Sequence, residues 1–296
     1  MKCSILKIFS ILIILLMPLL AFAEATEEEI LIGLIPEINI FEQYEKYDYL
    51  ARYLTNKIGV RVSLTILNKY GNIIDEFVSK KLDGAFFGSF TGVLATKKLN
   101  AEALVRPVTS DGKSTYHSYV FVRKDSGIKN VKDMEGKVMA FIDKASSCGY
   151  IFPLAYFKEN GVTNLDKFFR EYYFVGSHDL GILSVLMGHA DVGVAKNTVY
   201  DLLKKQYPRI DKELVILTES SKFPSHGLFV RKSLNENIKK KLKEWLLSMD
   251  RDPQGRIVLN KFGAIRFDEV DVIADYKSVF EVSKRAGINL KTYNYK

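Results

Sequence analysis

The sequence predicts an α/β protein built as two lobes around a ligand cleft, and three observations carry that expectation. From Glu29 onward, strand-like and helix-like segments alternate with little interruption, as they do where sheets are layered with helices. Setting aside a leader-like start leaves about 270 residues, at the upper limit of roughly 250–300 for one hydrophobic core. Two polar, turn-rich segments, Arg106–Thr115 (RPVTSDGKST) and Thr218–Ser225 (TESSKFPS), each lead into a strand and read as connections between lobes. A chain that leaves at the first and returns at the second makes lobe 1 from residues 24–108 and 225–296, and lobe 2 from residues 115–220. Small-molecule sites favour the clefts between such units.

The elements follow in order. Lys2 and Lys7 head the apolar run Ile8–Leu20, and Ala21-Phe22-Ala23 places small residues where a signal peptidase reads. Residues 1–23 are thus expected to be a signal peptide cleaved after Ala23, with export to the periplasm. An uncleaved anchor is the alternative, although a span needs about 20 apolar residues. Cys3 precedes the run and cannot be a lipoprotein cysteine. Ile30–Leu34 is a short buried strand. Tyr44–Ile58 carries Tyr47, Leu50, Ala51, Leu54 and Ile58 at the spacing of one helix face and stops at Gly59. Then come strand Val60–Leu67, helix Gly71–Lys81, strand Ala85–Phe87 and helix Thr91–Lys98. The middle reads as strands Tyr116–Val122, Val138–Ile142, Tyr172–Val175, Asp191–Ala195 and Leu214–Leu217. Helices Gly149–Glu159, His178–Met187 and Thr198–Gln206 are interleaved with them. Strand Gly227–Val230 and helices Asn235–Met249, Arg256–Phe262 and about Val270–Lys284 complete the chain. Mostly parallel sheets are expected from this alternation.

Composition narrows the function. With 47% apolar and 26% charged residues, collagen-like, disordered and disulfide-scaffold classes are excluded. Beyond the leader only Cys148 remains, so the fold holds by packing without an internal disulfide. The net charge of +8 comes from basic residues scattered beside acids, not gathered on a stripe, which argues against nucleic acid. Lys239-Lys240-Lys241 with Lys243 reads as a solvated helix face. No zincin, Walker or dinucleotide motif is present, and the histidines lack metal-ligand spacing. No cofactor or metal is expected.

Three strand-to-helix turns carry the chemistry. In Phe141–Tyr150 (FIDKASSCGY) a strand ends, and Ser146, Ser147, Cys148 and Gly149 open a helix. Helix starts present unpaired N–H groups and partial positive charge, so they receive anions. The serines add hydroxyl donors, and Gly149 is expected to let a ligand approach the backbone. A plain N-cap is the simpler account of Ser here. In Val175–Asp179 (VGSHD) His178 opens a helix and offers a ring donor. Gly88–Gly92 (GSFTG) is a third turn, not a nucleophile elbow, since Phe90 stands where a Ser belongs. Cys148 and His178 would make a thiol–imidazole pair, the thiol pKa lowered by the helix start. A small buried Cys replacing Ser is the plainer account.

These segments resemble the periplasmic phosphonate/phosphate/phosphite-binding proteins of ABC importers, a branch of the type II periplasmic binding proteins. The likeness also rests on Tyr47-Asp48-Tyr49-Leu50, Tyr116-His117-Ser118, Val120–Ile128 and Asp191–Ala195. It implies a two-lobed type II fold and an exported, monomeric solute-binding protein that delivers a small oxyanion to an importer permease. It also implies that Ser146–Gly149 and His178 hold the oxyanion, and that Tyr47 and a residue of the Gly88–Gly92 turn close over it. Thr91, Tyr116, Ser118, Lys196 and Asn197 complete the candidate ligand set, with Lys196 as cationic partner. Two departures from the family pattern stand out: Cys148 replaces a Ser, and Ser89 and Gly92 stand where a Pro and an aromatic wall are common. A ligand-sensing module for a receptor or kinase, and a Cys/His hydrolase, are the competing functions.

Overall fold

Residues 29–295 are described by the computed structural model, and the leader with its cleavage after Ala23 lies outside them. The chain starts with β1 (Glu29–Leu34), β2 (Arg61–Ile66), β3 (Gly84–Phe87) and β4 (Glu102–Val108). It crosses through β5 (Thr115–Tyr116) to β6 (Ser118–Arg123), β7 (Val138–Phe141), β8 (Glu171–Phe174), β9 (Val192–Lys196) and β10 (Leu214–Glu219). It returns through β11 (Phe223–Pro224) to β12 (Gly227–Val230) and β13 (Arg266–Glu269). The first sheet has the order β13-β4-β12-β3-β1-β2 and so draws on both ends of the chain. The second, β10-β6-β9-β7-β8, is made wholly from its middle.

The sheets are mixed, which corrects the expectation of mostly parallel ones. Only β2-β1-β3 and β8-β7-β9 run parallel; β12, β4 and β13 in one sheet, and β6 and β10 in the other, pair antiparallel. Hydrophobic pattern identifies a strand but carries no strand direction. In this fold the two crossings return the chain into each sheet reversed. β4 and β13 themselves escaped the sequence reading. Arg106 and Pro107 make β4 look like a loop, and RFDE is a short, charged edge strand. Arg106 is paired with Asp275 at 2.7 Å.

Both lobe connections are shorter than they read, because Arg106–Val108 belongs to β4 and Thr218-Glu219 to β10. Where they cross they pair with each other, Phe223 opposite Tyr116 and Pro224 opposite Thr115. Each crossing thus supplies backbone partners to the other.

Helix Ile40–Ile58 shows how local sequence sets an element. Asn39 caps it, accepting from Phe41 and Glu42 backbone N–H at 3.0 and 3.4 Å, and Gly59 ends it at φ +73°. Tyr47, Leu50, Ala51, Leu54 and Ile58 are buried against the first sheet, on the face their spacing defines. Lys239 departs from the solvated face expected of its neighbours. It is 5% exposed and its ammonium holds Glu102 at 2.8 Å and Glu236 at 2.7 Å. A hydrophobic cluster runs unbroken from Phe87 and Phe90 of the first lobe to Phe141, Ile142 and Phe157 of the second. The C-terminal segment spans the same junction: Arg285 pairs with Glu159, and the Tyr293 hydroxyl donates to Lys144 O at 2.9 Å.

Among the described residues, no helix is long and apolar enough to cross a membrane. The parallel strands instead aim their C-terminal ends at one another across the junction. β1 delivers Glu37, β3 delivers Gly88–Thr91, β7 delivers Asp143–Cys148, β8 delivers Ser177-His178, and β9 delivers Lys196. Such ends are where ligands bind in open α/β sheets.

Candidate functional site

The cradle begins where β7 ends. Ser146 has extended backbone and caps the following turn, its hydroxyl oxygen accepting from Gly149 N–H at 3.0 Å. The turn Ser147–Ile151 is a wide π turn that leads into helix Phe152–Glu159. The N–H groups of Ser147 and Cys148 lie in its first turn, where no intrahelical acceptor exists. Gly149 does not serve ligand approach as expected. A Cβ there would stand 2.4 Å from Ile142, so the glycine lets the turn close onto its own strand.

The other lobe meets this turn directly. Phe90 N–H donates to Ser147 Oγ at 2.8 Å, and the Tyr116 hydroxyl lies 2.6 Å from Ser89 Oγ and faces the Ser147 side chain. Tyr70 bonds Ser146. Burial raises the pKa of both phenols, so both stay neutral hydrogen-bonding hydroxyls. Gly88 is small for a reason. A Cβ there would sit 2.8 Å from Tyr70 Oη and 3.2 Å from His226 Nε2, and those polar tips occupy its space.

His178 is fully buried, with its ring 3.8 Å from Cys148 Sγ through Nε2. Its Nδ1 accepts the Lys196 backbone N–H at 3.4 Å, which leaves the ring proton on Nε2, facing the cradle. Burial first, and then the Lys196 charge, pull its pKa to about 3, so the ring is a neutral donor. Cys148 is 1% exposed, and burial pushes its thiol up to about 12. The lowered thiol pKa expected from the helix start is therefore wrong: desolvation of a buried thiolate outweighs the helix dipole.

A charged wall adjoins the cradle. Lys196 Nζ lies 2.9 Å from Glu37 Oε1 and 4.8 Å from the Tyr116 ring centre. His226 Nδ1 lies 3.0 Å from Glu37 Oε2. Burial alone would raise the Glu37 carboxyl, but His226 and the Lys196 ammonium beside it hold it well below the usual carboxylate range. These groups, with Gln43, Lys46, Tyr47 and Asn197, line an interlobe cavity of about 600 Å³.

The sequence candidates therefore divide. Ser146, Ser147, Cys148, His178, Tyr116 and Lys196 converge. Tyr47 lines the cavity, packed edge-on to Phe86 and Phe262. The Thr91 hydroxyl donates to Gly88 O, that of Ser118 to Cys148 O at 2.7 Å, and Asn197 Oδ1 accepts the His117 N–H. Gly92 cannot mark a missing aromatic wall, because a Cβ there would meet Phe229 at 2.8 Å. Sequence reasoning missed Glu37, Tyr70 and His226. Glu37 alone left a signal, standing just past the end of a buried parallel strand.

Two α/β lobes joined by two paired crossings, with buried polar groups converging at their junction, make the two-lobed type II architecture. The model of the family described as "ABC transporter, phosphonate, periplasmic substrate-binding protein" matches residues 32–276, and the chain belongs to that family. It is 27% identical over 248 residues to the phosphonates-binding periplasmic protein of Escherichia coli K12, covering 82% of this chain and 72% of that protein. A binding-protein component of an ABC phosphonate transporter from Pseudomonas aeruginosa shares the fold, with a TM-score of 0.79, 20% identity and 88% of both chains covered. PhnD1 from Prochlorococcus marinus, solved in complex with methylphosphonate, aligns at a TM-score of 0.77 with 22% identity over 88% of this chain and 99% of that one. The family is a periplasmic transporter component, not an enzyme family.

Proposed function

We propose that the exported chain, cleaved after Ala23, captures a small phosphorus oxyanion between lobes 24–108 plus 225–296 and 115–220 and delivers it to an importer permease. The observation that carries this reading is the bond from Phe90 N–H to Ser147 Oγ, which brings the first lobe onto the helix start of the second. Oxyanion oxygens are taken by the Ser147 and Cys148 N–H groups, the Ser146 and Ser147 hydroxyls, the phenols of Tyr70 and Tyr116, and His178 Nε2–H. Lys196 supplies the cation. All but Lys196 are neutral donors in a buried site, where each hydrogen bond to a charged oxygen contributes about 1.5–3 kcal/mol.

The named ligands of the relatives support this class: phosphonates for the Escherichia coli protein and methylphosphonate for the Prochlorococcus structure. Calorimetry with phosphate, phosphite, methylphosphonate and sulfate tests it, and saturable one-to-one binding of at least one phosphorus oxyanion is expected. Small-angle scattering at saturation should show a smaller radius of gyration than without ligand. A screen in which none binds removes the reading. The thiol hydrolase is disfavoured by the neutral, buried state of Cys148.

A further inference from the structure

We propose that a groove formed by Lys97 and the C-terminal segment is a docking surface for an anionic phospholipid bilayer. It lies apart from the ligand cleft. Helix Ser89–Leu99 starts in the Gly88–Gly92 turn beside the cradle and carries Lys97 about 12 Å along its axis, in its last turn. There helix Lys277–Arg285 and the residues after it complete a groove of about 720 Å³. Phe280, Ile288 and Leu290 give it an apolar floor, and Lys97, Lys284 and Lys291 are its charged lining.

Local sequence builds the groove. Val279 and Val282 anchor helix Lys277–Arg285 in the core, and the buried Ser283 hydroxyl donates back to Val279 O at 2.7 Å. Gly287 ends the helix at φ +76°, and the Ile288 N–H returns to Ser283 O at 2.8 Å. That reversal lays Ile288 and Leu290 against the core cluster while leaving both only partly buried. A Cβ at Gly287 would stand 2.5 Å from Lys158 Nζ, so a fourth ammonium lies at the edge. The charge here is unbalanced. No acidic residue lines the groove, and Lys97, Lys284 and Lys291 have no carboxylate partner among the described residues. The acids of the adjoining helices are taken, Glu159 by Arg285 and Glu281 by Lys277. The Lys239–Lys243 cluster shows the contrast, since Lys239, Lys240 and Lys243 each hold a glutamate.

Unpaired ammonium groups around an apolar floor match one kind of surface. The phosphates of an anionic leaflet meet the lysines, and the headgroup–acyl boundary meets Phe280, Ile288 and Leu290. A soluble polyanion would answer the charge and leave the floor idle. The family is a transporter component, so its partner lies in a membrane. A chain held on that surface meets the partner at a raised effective concentration without any new contact to it. The groove sits at the far end of helix Ser89–Leu99 from the cradle, so docking leaves the cleft free.

Co-sedimentation of the exported chain with lipid vesicles tests this. Binding is expected to vesicles of equal phosphatidylglycerol and phosphatidylcholine at low salt. It should weaken steeply toward about 0.5 M salt and be absent on phosphatidylcholine alone. Lys97→Gln, Lys284→Gln and Lys291→Gln together should lower affinity about a hundredfold, roughly fivefold per lysine. The same charge removed elsewhere, by Lys240→Gln, Lys241→Gln and Lys243→Gln, should change it by less than about threefold. Leu290→Ser keeps every charge and should weaken binding about fivefold. Melting curves report that each variant folds, and the lipid series on the parent chain decides the matter even where one does not. Equal binding to neutral vesicles, or none to anionic ones, would overturn the proposal. So would a groove triple variant that binds like the parent, a control triple variant that loses as much, or a Leu290→Ser protein with no loss. Each of these outcomes stands whether or not an oxyanion binds in the cleft, so the two readings fail separately.

Discussion

The cradle and the wall beside it solve opposite problems with opposite chemistry. The cradle gathers Ser89, Ser146, Ser147, Tyr116 and His178, groups that are buried and uncharged. The wall holds Glu37, Lys196 and Lys46, which carry charge and line a cavity. Neutral donors can be buried together at modest cost when each finds a partner, whereas buried charges must be paired. In the proposed function, the fixed dipoles of the cradle would meet the ligand's oxygens, and the ion pair would set the charge beside them.

The separation can be broken first at the wall. Lys196→Met leaves Glu37 in a mostly buried place without its ammonium, and should lower stability by about 3 kcal/mol in denaturant titration. Adding Glu37→Gln should restore most of that loss, because the orphaned charge is then gone. A Lys196→Met protein as stable as the parent would mean the pair is a rim contact.

In the cradle, Ser147→Ala removes a hydroxyl that meets both Phe90 N–H and Tyr116. Ligand affinity should fall roughly ten- to a hundredfold, the equivalent of one hydrogen bond to a charged group. The fold should survive, since the core cluster is untouched. Calorimetry giving unchanged affinity would move the ligand out of the cradle.

The buried histidine sharpens the comparison through pH. His178 takes a proton at about 3 when folded, against about 6.5 for an unfolded histidine. The unfolded chain therefore binds the proton first, and stability falls as pH drops below about 6.5. Melting temperature should decline from there toward about pH 4, and His178→Asn should decline less steeply. Parallel curves for the two proteins would mean that His178 is exposed to solvent.

Cys148→Ser should show the smallest change. It exchanges a buried neutral thiol for a hydroxyl and should keep or slightly improve oxyanion affinity. Maleimide labelling of the wild type should be slow at neutral pH and fast in denaturant, because the folded thiol is buried with its pKa near 12. Rapid labelling in the closed, ligand-bound state would place the thiol at the surface.

Much of this was legible before any coordinates. The buried face of helix Ile40–Ile58 followed from its spacing, and Ser146 and His178 stood out because they follow strand patterns and open helices. Local periodicity records burial, and turn residues record where an element starts, so most elements and the Ser146 and His178 turns were written in the sequence, while β4, β13 and Tyr70 were not. Strand direction, the pairing of β5 with β11, and the company of Glu37 were not. Each depends on residues far apart in the chain: Glu37 meets Lys196 and His226 only because two crossings fold the ends of β1 and β9 onto one junction. The state of Cys148 was likewise decided there. A helix start lowers a thiol pKa and burial raises it, and which effect wins is decided by how the lobes pack over the thiol.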